Sequence, residues 1–515
     1  MDIPEELLKW TENLSVPEKR FIKLQGKARS GTDSQLLMLF DWLNKTGEKE
    51  KLPAKASFSR NLPTLAARLK ALMLDSLYLL HKESTVSLQL NSAYSEILLL
   101  QSKSLMSVAA RQQKKARKLA AAYSRYSFLL LLTENEIMLA QSLPVEQFAG
   151  RLAELRSEEQ LIHKNLQYLR NLWHTHNELL VLARMYPFSL DTEVVKQVRT
   201  LAETEEVQNA FQSSSFLEYA LAVSILGIRD MFIRDPDSSV PRYQKLIRRW
   251  QALPDWQIDQ PQLLLTVCKY YQNACIFSPV DHEKISADLT FLSGFSGLPR
   301  KDLVNLQDLL YSNQFAIALN TGRFDVALPM IAEIENWLSV HAGELTENQV
   351  YPYRCNFIVA EFLSGNYAAA NRQVNNLLNV HNRKARIDIY EFALLIRPIL
   401  QFESGDDLHN EYLIRSGKRH FQKNKSAADF ELMVMKFLTL LHEQALAADR
   451  RKAFHNFLQE LERFADSLPP TIPLLGLNEI SMWAESNATG TPIRDVFLRR
   501  VEENLRMLEG VKKIG

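Results

Sequence analysis

The fold can be predicted from the segment Leu319-Asn320-Thr321-Gly322-Arg323-Phe324-Asp325-Val326-Ala327. This segment recurs in outline as Leu363-Ser364-Gly365-Asn366-Tyr367-Ala368-Ala369-Ala370. A spacing of 43 residues separates Gly322 from Gly365, Phe324 from Tyr367, and Ala327 from Ala370. In each copy a Gly lets the backbone leave one helix without Cβ strain, an aromatic ring follows, and Ala opens a second helix. The pattern predicts the corner of a helical hairpin. Its repetition predicts stacked helix pairs, because one pair alone cannot bury its apolar face.

Composition favours an all-α fold over the whole chain. The 515 residues are 46% hydrophobic and 23% charged, and Gly (16) and Pro (19) are both sparse. Alternating β-branched residues between turn signals, the pattern of a strand, are hard to find. We therefore expect helices throughout.

Three segments are predicted along the chain. Residues 1–84 form a small helical N-terminal region, in which Ser15-Val16-Pro17-Glu18 has the spacing of a helix capping box. Residues 85–235 form a degenerate helical-repeat segment, and residues 240–515 form the regular array. The residues between them, Asp235 to Ser239, combine Pro, Asp and Ser with no large apolar side chain. That composition predicts a linker.

The sequence offers no signal for export or for a membrane span. Its N-terminus is acidic where a signal peptide is basic. Apolar runs such as Phe128 to Leu132 are far shorter than the roughly 20 residues of a spanning helix. The cysteines are too few and too irregular for a disulfide framework or a zinc site: Cys268, Cys275 and Cys355. We expect them to be buried in a cytoplasmic protein that does not enter a membrane.

Charge is unevenly distributed along the chain. Residues 1–120 contain 20 Lys and Arg against 12 Asp and Glu, whereas the whole chain has a net charge of +1. Four cations of this part share one helix face: Arg111, Lys114, Lys115 and Lys118. A solvated outer face is the favoured interpretation, since no aromatic residues are interleaved with them. A regulator that binds nucleic acid through this basic segment is an alternative function, but nucleic acid is an unlikely partner on this composition.

The repeated corner resembles that of the tetratricopeptide repeat, which has a Gly, an aromatic residue two positions later and Ala three positions after that. After the second copy Gly405 is retained, but Asp407 and Asn410 take the aromatic and Ala positions. Spacings of 43 and 40 residues exceed the family's 34, so longer helices are expected. The resemblance implies a right-handed α-solenoid of antiparallel helix hairpins. The chain also resembles uncharacterised bacterial helical-repeat proteins, which implies no activity.

The same resemblance indicates where a partner would bind. Repeats that hold peptide carboxylates project Asn and basic side chains from the first helix of each pair into a concave groove. Asn313 and Asn356 each stand nine residues before a corner glycine. Arg354 lies beside the second, and Arg397 is one residue out of register in the third pair. We expect these four to line a groove for an extended peptide or an acidic tail, with coincident surface polarity as the competing explanation.

No motif predicts catalysis or a cofactor. A nucleophile elbow, a Walker loop, a dinucleotide fingerprint and a zincin motif are all absent from the sequence. His174, His176 and Glu178 come nearest to a metal cluster, but only His174 and Glu178 share a helix face. The favoured function is a non-catalytic scaffold without cofactor or metal, which binds another protein, a peptide or a second copy. An enzyme or ligand sensor with a site inside the superhelix is the other alternative.

Overall fold

The computed structural model is all-α, as the composition predicts. Across the described residues the chain forms 24 α-helices and one 3₁₀ helix, and no strand. None of these helices is both long enough and apolar enough to span a membrane. The described residues are 5–30, 35–46, 62–186, 192–233, 235–276, 287–294, 298, 300–379, 386–405, 407–423, 428–443, 447–467 and 474–512.

Fourteen α-helices precede the 3₁₀ helix Thr290–Gly294 in the described chain. The longest is α8, which has 41 residues. In order they are α1 Glu5–Glu12, α2 Val16–Ser30, α3 Gln35–Thr46, α4 Leu62–His81, α5 Val86–Ser102, α6 Met106–Ala122, α7 Tyr126–Ala140, α8 Val145–Met185, α9 Thr192–Ala202, α10 Glu205–Phe211, α11 Phe216–Ile233, α12 Pro236–Gln251, α13 Pro254–Asp259 and α14 Pro261–Ile276.

Ten α-helices follow, and consecutive ones pack as pairs. Their lengths range from 12 residues for the helix Tyr367–Leu378 to 21 for Arg300–Asn320 and Ala447–Ser467. In order they are α15 Arg300–Asn320, α16 Phe324–Val340, α17 Glu347–Leu363, α18 Tyr367–Leu378, α19 Ile387–Glu403, α20 Asp407–Lys423, α21 Ala428–Glu443, α22 Ala447–Ser467, α23 Leu477–Thr489 and α24 Ile493–Lys512.

The chain divides into two compact units. One contains Met1–Val181, Lys196–Leu226 and Arg248–Leu264, and the other contains Leu182–Val195, Gly227–Ile247 and Leu265–Gly515. All ten helices from α15 to α24 therefore belong to the second unit. The boundaries predicted from the sequence, at residues 84 and 235, stay predictions.

The segment predicted to be a linker is helical instead. Helix α12 begins at Pro236, so Asp235 to Ser239 form its start. The Asp235 carboxylate accepts a hydrogen bond from the Ser238 backbone N–H at 3.1 Å. An Asp cap followed by Pro is a strong helix start, because the side chain satisfies an orphan N–H and Pro has none to satisfy. The same residue types favour a linker and a helix cap, and only the apolar periodicity of the residues that follow distinguishes the two.

Both predicted corners are present in the second unit. Gly322 and Gly365 have φ angles of +71° and +83°, in the left-handed region. At the first corner the Arg323 N–H donates to the Ala318 carbonyl at 2.9 Å, and at the second the Asn366 N–H donates to the Glu361 carbonyl at 2.8 Å. These bonds satisfy carbonyls at the end of each first helix. A third left-handed glycine, Gly405 at +75°, ends α19 in the same way.

A buried carboxylate links three helices of the second unit. Asp308 on α15 is 5% exposed. Its carboxylate accepts hydrogen bonds from Tyr353 at 3.1 Å and Gln349 at 3.1 Å, both on α17. Lys269 on α14 lies 3.3 Å from the same group. Because a buried charge is costly unless it is paired and hydrogen-bonded, these contacts favour one register of α14, α15 and α17.

The first unit contains a buried polar pair between α8 and α11. His176 is 2% exposed, and its Nε2 lies 2.9 Å from the hydroxyl of the fully buried Ser224. Burial lowers the pKa of His176 to about 4, because an apolar environment disfavours the charged ring. The neutral imidazole is therefore part of the packed interior.

We expect acidification to destabilise the first unit through His176. An unfolded His has a pKa of about 6.5. As the pH falls below this value, the unfolded chain binds a proton at His176, whereas the folded protein does not. Stability is complete above that pH and is lost as the pH falls toward 4. Between pH 7 and pH 5 the loss is roughly 2 kcal/mol, measurable by urea unfolding. His176→Gln removes most of this pH dependence, while His174→Gln, at an exposed position on the same helix, retains it; equal slopes for both variants contradict the assignment.

Candidate functional site

Arg354 lies between the second helices of two neighbouring pairs. Its Nη1 donates to the Glu335 carboxylate on α16 at 2.6 Å and to the Gln373 side-chain oxygen on α18 at 3.3 Å. Gln373 donates in turn to Glu335 at 3.1 Å. The side of α17 that carries Arg354 therefore faces α16 and α18.

The other three predicted side chains have different surroundings. Asn356 is half-buried and stands two residues after Arg354, about 200° further round the helix, so the two do not share a face. Asn313 on α15 is 6% exposed. Arg397 on α19 is half-buried. The structure thus separates Arg354 from Asn356, and a groove lined by all four residues stays a prediction.

Helix α23 contacts α19 through side chains near the end of α19. The carboxylate of Glu403 accepts a hydrogen bond from the Trp483 indole N–H at 2.6 Å and another from the Asn487 side chain at 3.0 Å. Three turns earlier on the same side, Phe392 contacts Gly476, where an added Cβ would lie 2.9 Å from the ring. Part of the surface formed by the first helices of the pairs is therefore occupied by a helix of the same chain.

Helix α24 packs against the first corner and against α17. The Phe497 ring lies 5.5 Å from the Phe324 ring, centroid to centroid, and the Arg494 guanidinium lies 5.4 Å from the centre of the Phe324 ring. A Cβ added to Gly322 would overlap the Leu498 side chain. The missing Cβ of Gly322 therefore leaves the space that Leu498 fills.

The second corner is open where the first is covered. A Cβ added to Gly365 would meet no atom within 4 Å among the described residues. Gly365 itself is exposed and Tyr367 is half-buried, whereas Phe324 at the first corner is only 2% exposed. The two corners have the same backbone conformation, so the difference comes from α24.

The basic face of α6 is exposed to solvent, and the metal candidates in the described chain do not come together as a site. All four cations of α6 are exposed: Arg111, Lys114, Lys115 and Lys118. His174 and Glu178 are exposed as well. Among the residues described, no group of three or more His, Cys, Asp and Glu side chains could hold a metal ion.

The pKa of Glu431, at the start of α21, is raised to about 7. Burial is the main cause, and the carboxylates of Glu391 and Asp429 add to it. Glu391 on α19 also lies 3.2 Å from the His420 ring on α20. A carboxylic acid that titrates near pH 7 can exchange protons at that pH, which is the property expected of a general acid or base.

Sequence reasoning missed Arg494, Phe497 and Leu498. Their spacing of i, i+3 and i+4 places them on one face of α24, and this periodicity is visible in the sequence. It predicts an amphipathic helix but does not identify the surface that the helix covers. The contact with Gly322 joins residues about 175 positions apart, which no local pattern encodes.

We expect Ala substitutions at the two corners to differ in cost. Gly365→Ala introduces a left-handed Ala and costs about 1 kcal/mol of unfolding free energy. Gly322→Ala carries the same backbone strain and also collides with Leu498, which adds roughly 1–3 kcal/mol. Urea unfolding followed by circular dichroism measures both. Equal losses at the two corners contradict the packing of α24 described above.

We expect the neutral form of Glu431 to stabilise the second unit at pH values below the pKa of Glu431 in the folded protein. Because that pKa is raised above the unfolded value, stability falls as the pH rises from about 4.5 to about 7. Glu431→Gln keeps the shape without the titration, so its melting temperature exceeds that of the wild type at pH 8 and matches it at pH 4.5. The exposed Glu462→Gln on α22 is the control and changes neither value. Equal melting temperatures of the Glu431→Gln variant and the wild type at pH 8 would contradict the burial of Glu431.

No family model, no curated protein and no solved structure matches this chain.

Proposed function

We propose that this chain is a non-catalytic interaction scaffold of the cytoplasm. In this proposal residues 240–515 form a right-handed, tetratricopeptide-like solenoid of antiparallel helix pairs. Three features support it: the paired helices α15 to α22, the left-handed glycines that separate them at intervals of 43 and 40 residues, and the contacts between the first helices of successive pairs. Stacked pairs of this kind form extended surfaces that bind other proteins.

One observation carries the proposal: the paired helices already bind helical segments of the same chain. The Glu403 carboxylate on α19 accepts a hydrogen bond from Trp483 of α23, and Leu498 of α24 packs beside Gly322 at the first corner. Both contacts join an element at the chain's end to pairs far earlier in the sequence. A surface that binds amphipathic helices in this way suits a partner protein, a peptide or a second copy.

The four residues named from the sequence have distinct roles in this scaffold. Asn356 and Arg397 are half-buried donors that suit a carboxylate on an extended peptide or an acidic tail. Arg354, bonded to Glu335 and Gln373, fixes α17 between α16 and α18 and so positions the Asn356 side of the helix. The buried Asn313 lies at the equivalent position of the preceding pair.

A second function is favoured by a specific observation on the first unit. The cations at 111, 114, 115 and 118 are exposed on one face of α6, so this face can neutralise the phosphates of a nucleic acid. Binding of this type weakens steeply with salt, because counterions are released on association. The salt dependence distinguishes it from recognition by the helix pairs.

We expect partner recovery to depend on the paired helices. Full-length wild-type protein and two double variants, Asn356→Ala with Arg397→Ala and Lys114→Ala with Lys115→Ala, are cross-linked in the native cell and purified. The proposal requires a protein that is recovered equally with the wild type and with the Lys114→Ala, Lys115→Ala variant (the lysine variant). Its recovery with the Asn356→Ala, Arg397→Ala variant (the groove variant) should be at least tenfold lower. Unchanged recovery with the groove variant rejects this groove. Salt-sensitive nucleic acid that is lost only with the lysine variant supports the second function instead.

A further inference from the structure

We propose that one end of the first unit binds the surface of a membrane that contains anionic lipids. It consists of residues 98–108, around the turn between α5 and α6, and residues 138–145, around the turn between α7 and α8. We call it the apolar end. Its exposed apolar side chains enter the headgroup layer, and the cations beside it attract the anionic headgroups. Attachment of this kind adds a location to the scaffold function and does not depend on the groove proposed above.

Hydrogen bonds between helices place the two turns at the same end of the first unit. Gln113 of α6 donates to the Leu132 carbonyl of α7 at 3.0 Å, and these consecutive helices are joined by a short turn, so they run antiparallel. The residues before Gln113, back to the start of α6, therefore lie alongside the residues after Leu132, up to the end of α7. The Gln101 side chain near the end of α5 donates to the Asn135 side chain of α7 at 2.8 Å. The start of α6 thus lies beside the ends of α5 and α7.

The apolar end exposes several large apolar side chains at one place. Eight of them lie within its two short segments: Leu98, Leu99, Leu105, Met106, Val108, Met138, Leu143 and Val145. Single exposed apolar residues are ordinary on a protein surface, whereas a group of them marks a surface that interacts with something else. The apolar end is therefore a candidate interaction surface.

The apolar side chains project from the surface, and this shape favours lipid over a protein partner. Val145 is 83% exposed, Met138 is 69% exposed and Leu99 is 65% exposed. A side chain that lines a groove is shielded by the walls of the groove, so exposures this high belong to projections. In a bilayer, acyl chains can surround each projecting side chain. A folded protein partner would need a separate recess for each one.

Positive charge lies on and beside the apolar end. From residue 98 to residue 148 the chain contains seven Lys and Arg against three Glu and no Asp. Five of these cations are exposed, one in the α5–α6 turn and four along the outer face of α6: Lys103, Arg111, Lys114, Lys115 and Lys118. The other two, Arg117 and Arg125, pair with carboxylates. Exposed cation clusters of this kind are attracted to anionic lipids, so the charge specifies the class of lipid.

The combination of apolar and basic side chains distinguishes a membrane from the nucleic acid considered above. Both partners attract cations, but single-stranded nucleic acid is bound through aromatic rings that stack on bases, and none of the eight exposed apolar side chains is aromatic. Leu, Met and Val beside Lys and Arg are typical of elements that lie on a membrane. Such contact reaches only the boundary between headgroups and acyl chains, so it is compatible with the finding that no described helix could span a membrane.

The test uses the full-length protein and sucrose-loaded vesicles, with bound protein measured after sedimentation. One set of vesicles is pure phosphatidylcholine, and the other contains phosphatidylserine as roughly one lipid in three. We expect the wild type to bind the second set at least tenfold more tightly. Leu105→Ser with Val145→Ser, one change at each turn, should weaken that binding about tenfold or more, because both apolar side chains leave the headgroup layer. Lys114→Ala with Lys115→Ala should weaken it by about tenfold as well.

The matched control is Leu74→Ser with Leu161→Ser. Both side chains are more than half exposed, and they lie outside the apolar end, on α4 and α8. Leu161 is roughly 24 Å along α8 from Val145. This control removes a similar apolar area from the surface, so it should bind both sets of vesicles as the wild type does.

Three outcomes overturn the inference: a wild type that sediments with neither set, equal binding to the two sets, or a Leu105→Ser, Val145→Ser variant that binds as tightly as the control. If that variant loses its helical circular dichroism, Val145→Ser alone takes its place, because its side chain is the most exposed of the eight. A wild type that binds duplex DNA in a salt-sensitive manner and does not sediment with vesicles supports the nucleic-acid function instead. Recovery of a partner that depends on Asn356 and Arg397 leaves the scaffold standing in each case.

Discussion

The left-handed backbone at the helix corners is the constraint on which the second unit depends. Gly322, Gly365 and Gly405 adopt φ angles of +71°, +83° and +75°, a region that costs other residues roughly 1–2 kcal/mol. The conformation ends one helix, satisfies its last carbonyls and starts the next helix in the opposite direction. Because it recurs at nearly constant intervals, it also brings α15, α17 and α19 next to one another.

Buried polar groups then fix how these helices fit together. Apolar packing alone tolerates small slides of one helix along another, whereas a buried carboxylate loses its hydrogen bonds when the helix moves. Asp308 has donors on α14 and α17, and Glu403 has two donors on α23. Asp308 joins neighbouring helices of the array, whereas Glu403 joins α19 to a helix 80 residues further along the chain.

The first corner has two roles in the molecule. Its glycine is needed for the turn, and the same absence of a side chain creates the recess that Leu498 fills. At Gly365 only the first role is present, since nothing lies within 4 Å of the position of a Cβ among the described residues. The comparison separates a requirement of the backbone from a requirement of helix packing.

The all-α class and the two helix corners could be predicted from the sequence alone. These features are local, since a glycine, a ring two residues later and apolar periodicity act within one or two turns of chain. The sequence did not distinguish a linker from a capped helix start at Asp235, and it gave no sign of the partners of Arg354. Other features depend on the tertiary fold: Arg354 bonds to α16 and α18, Trp483 of α23 bonds to Glu403 of α19, and Leu498 of α24 packs at Gly322. The physical reason is that each of these contacts depends on the relative position of helices far apart in the chain, which buried area and paired polar groups set together.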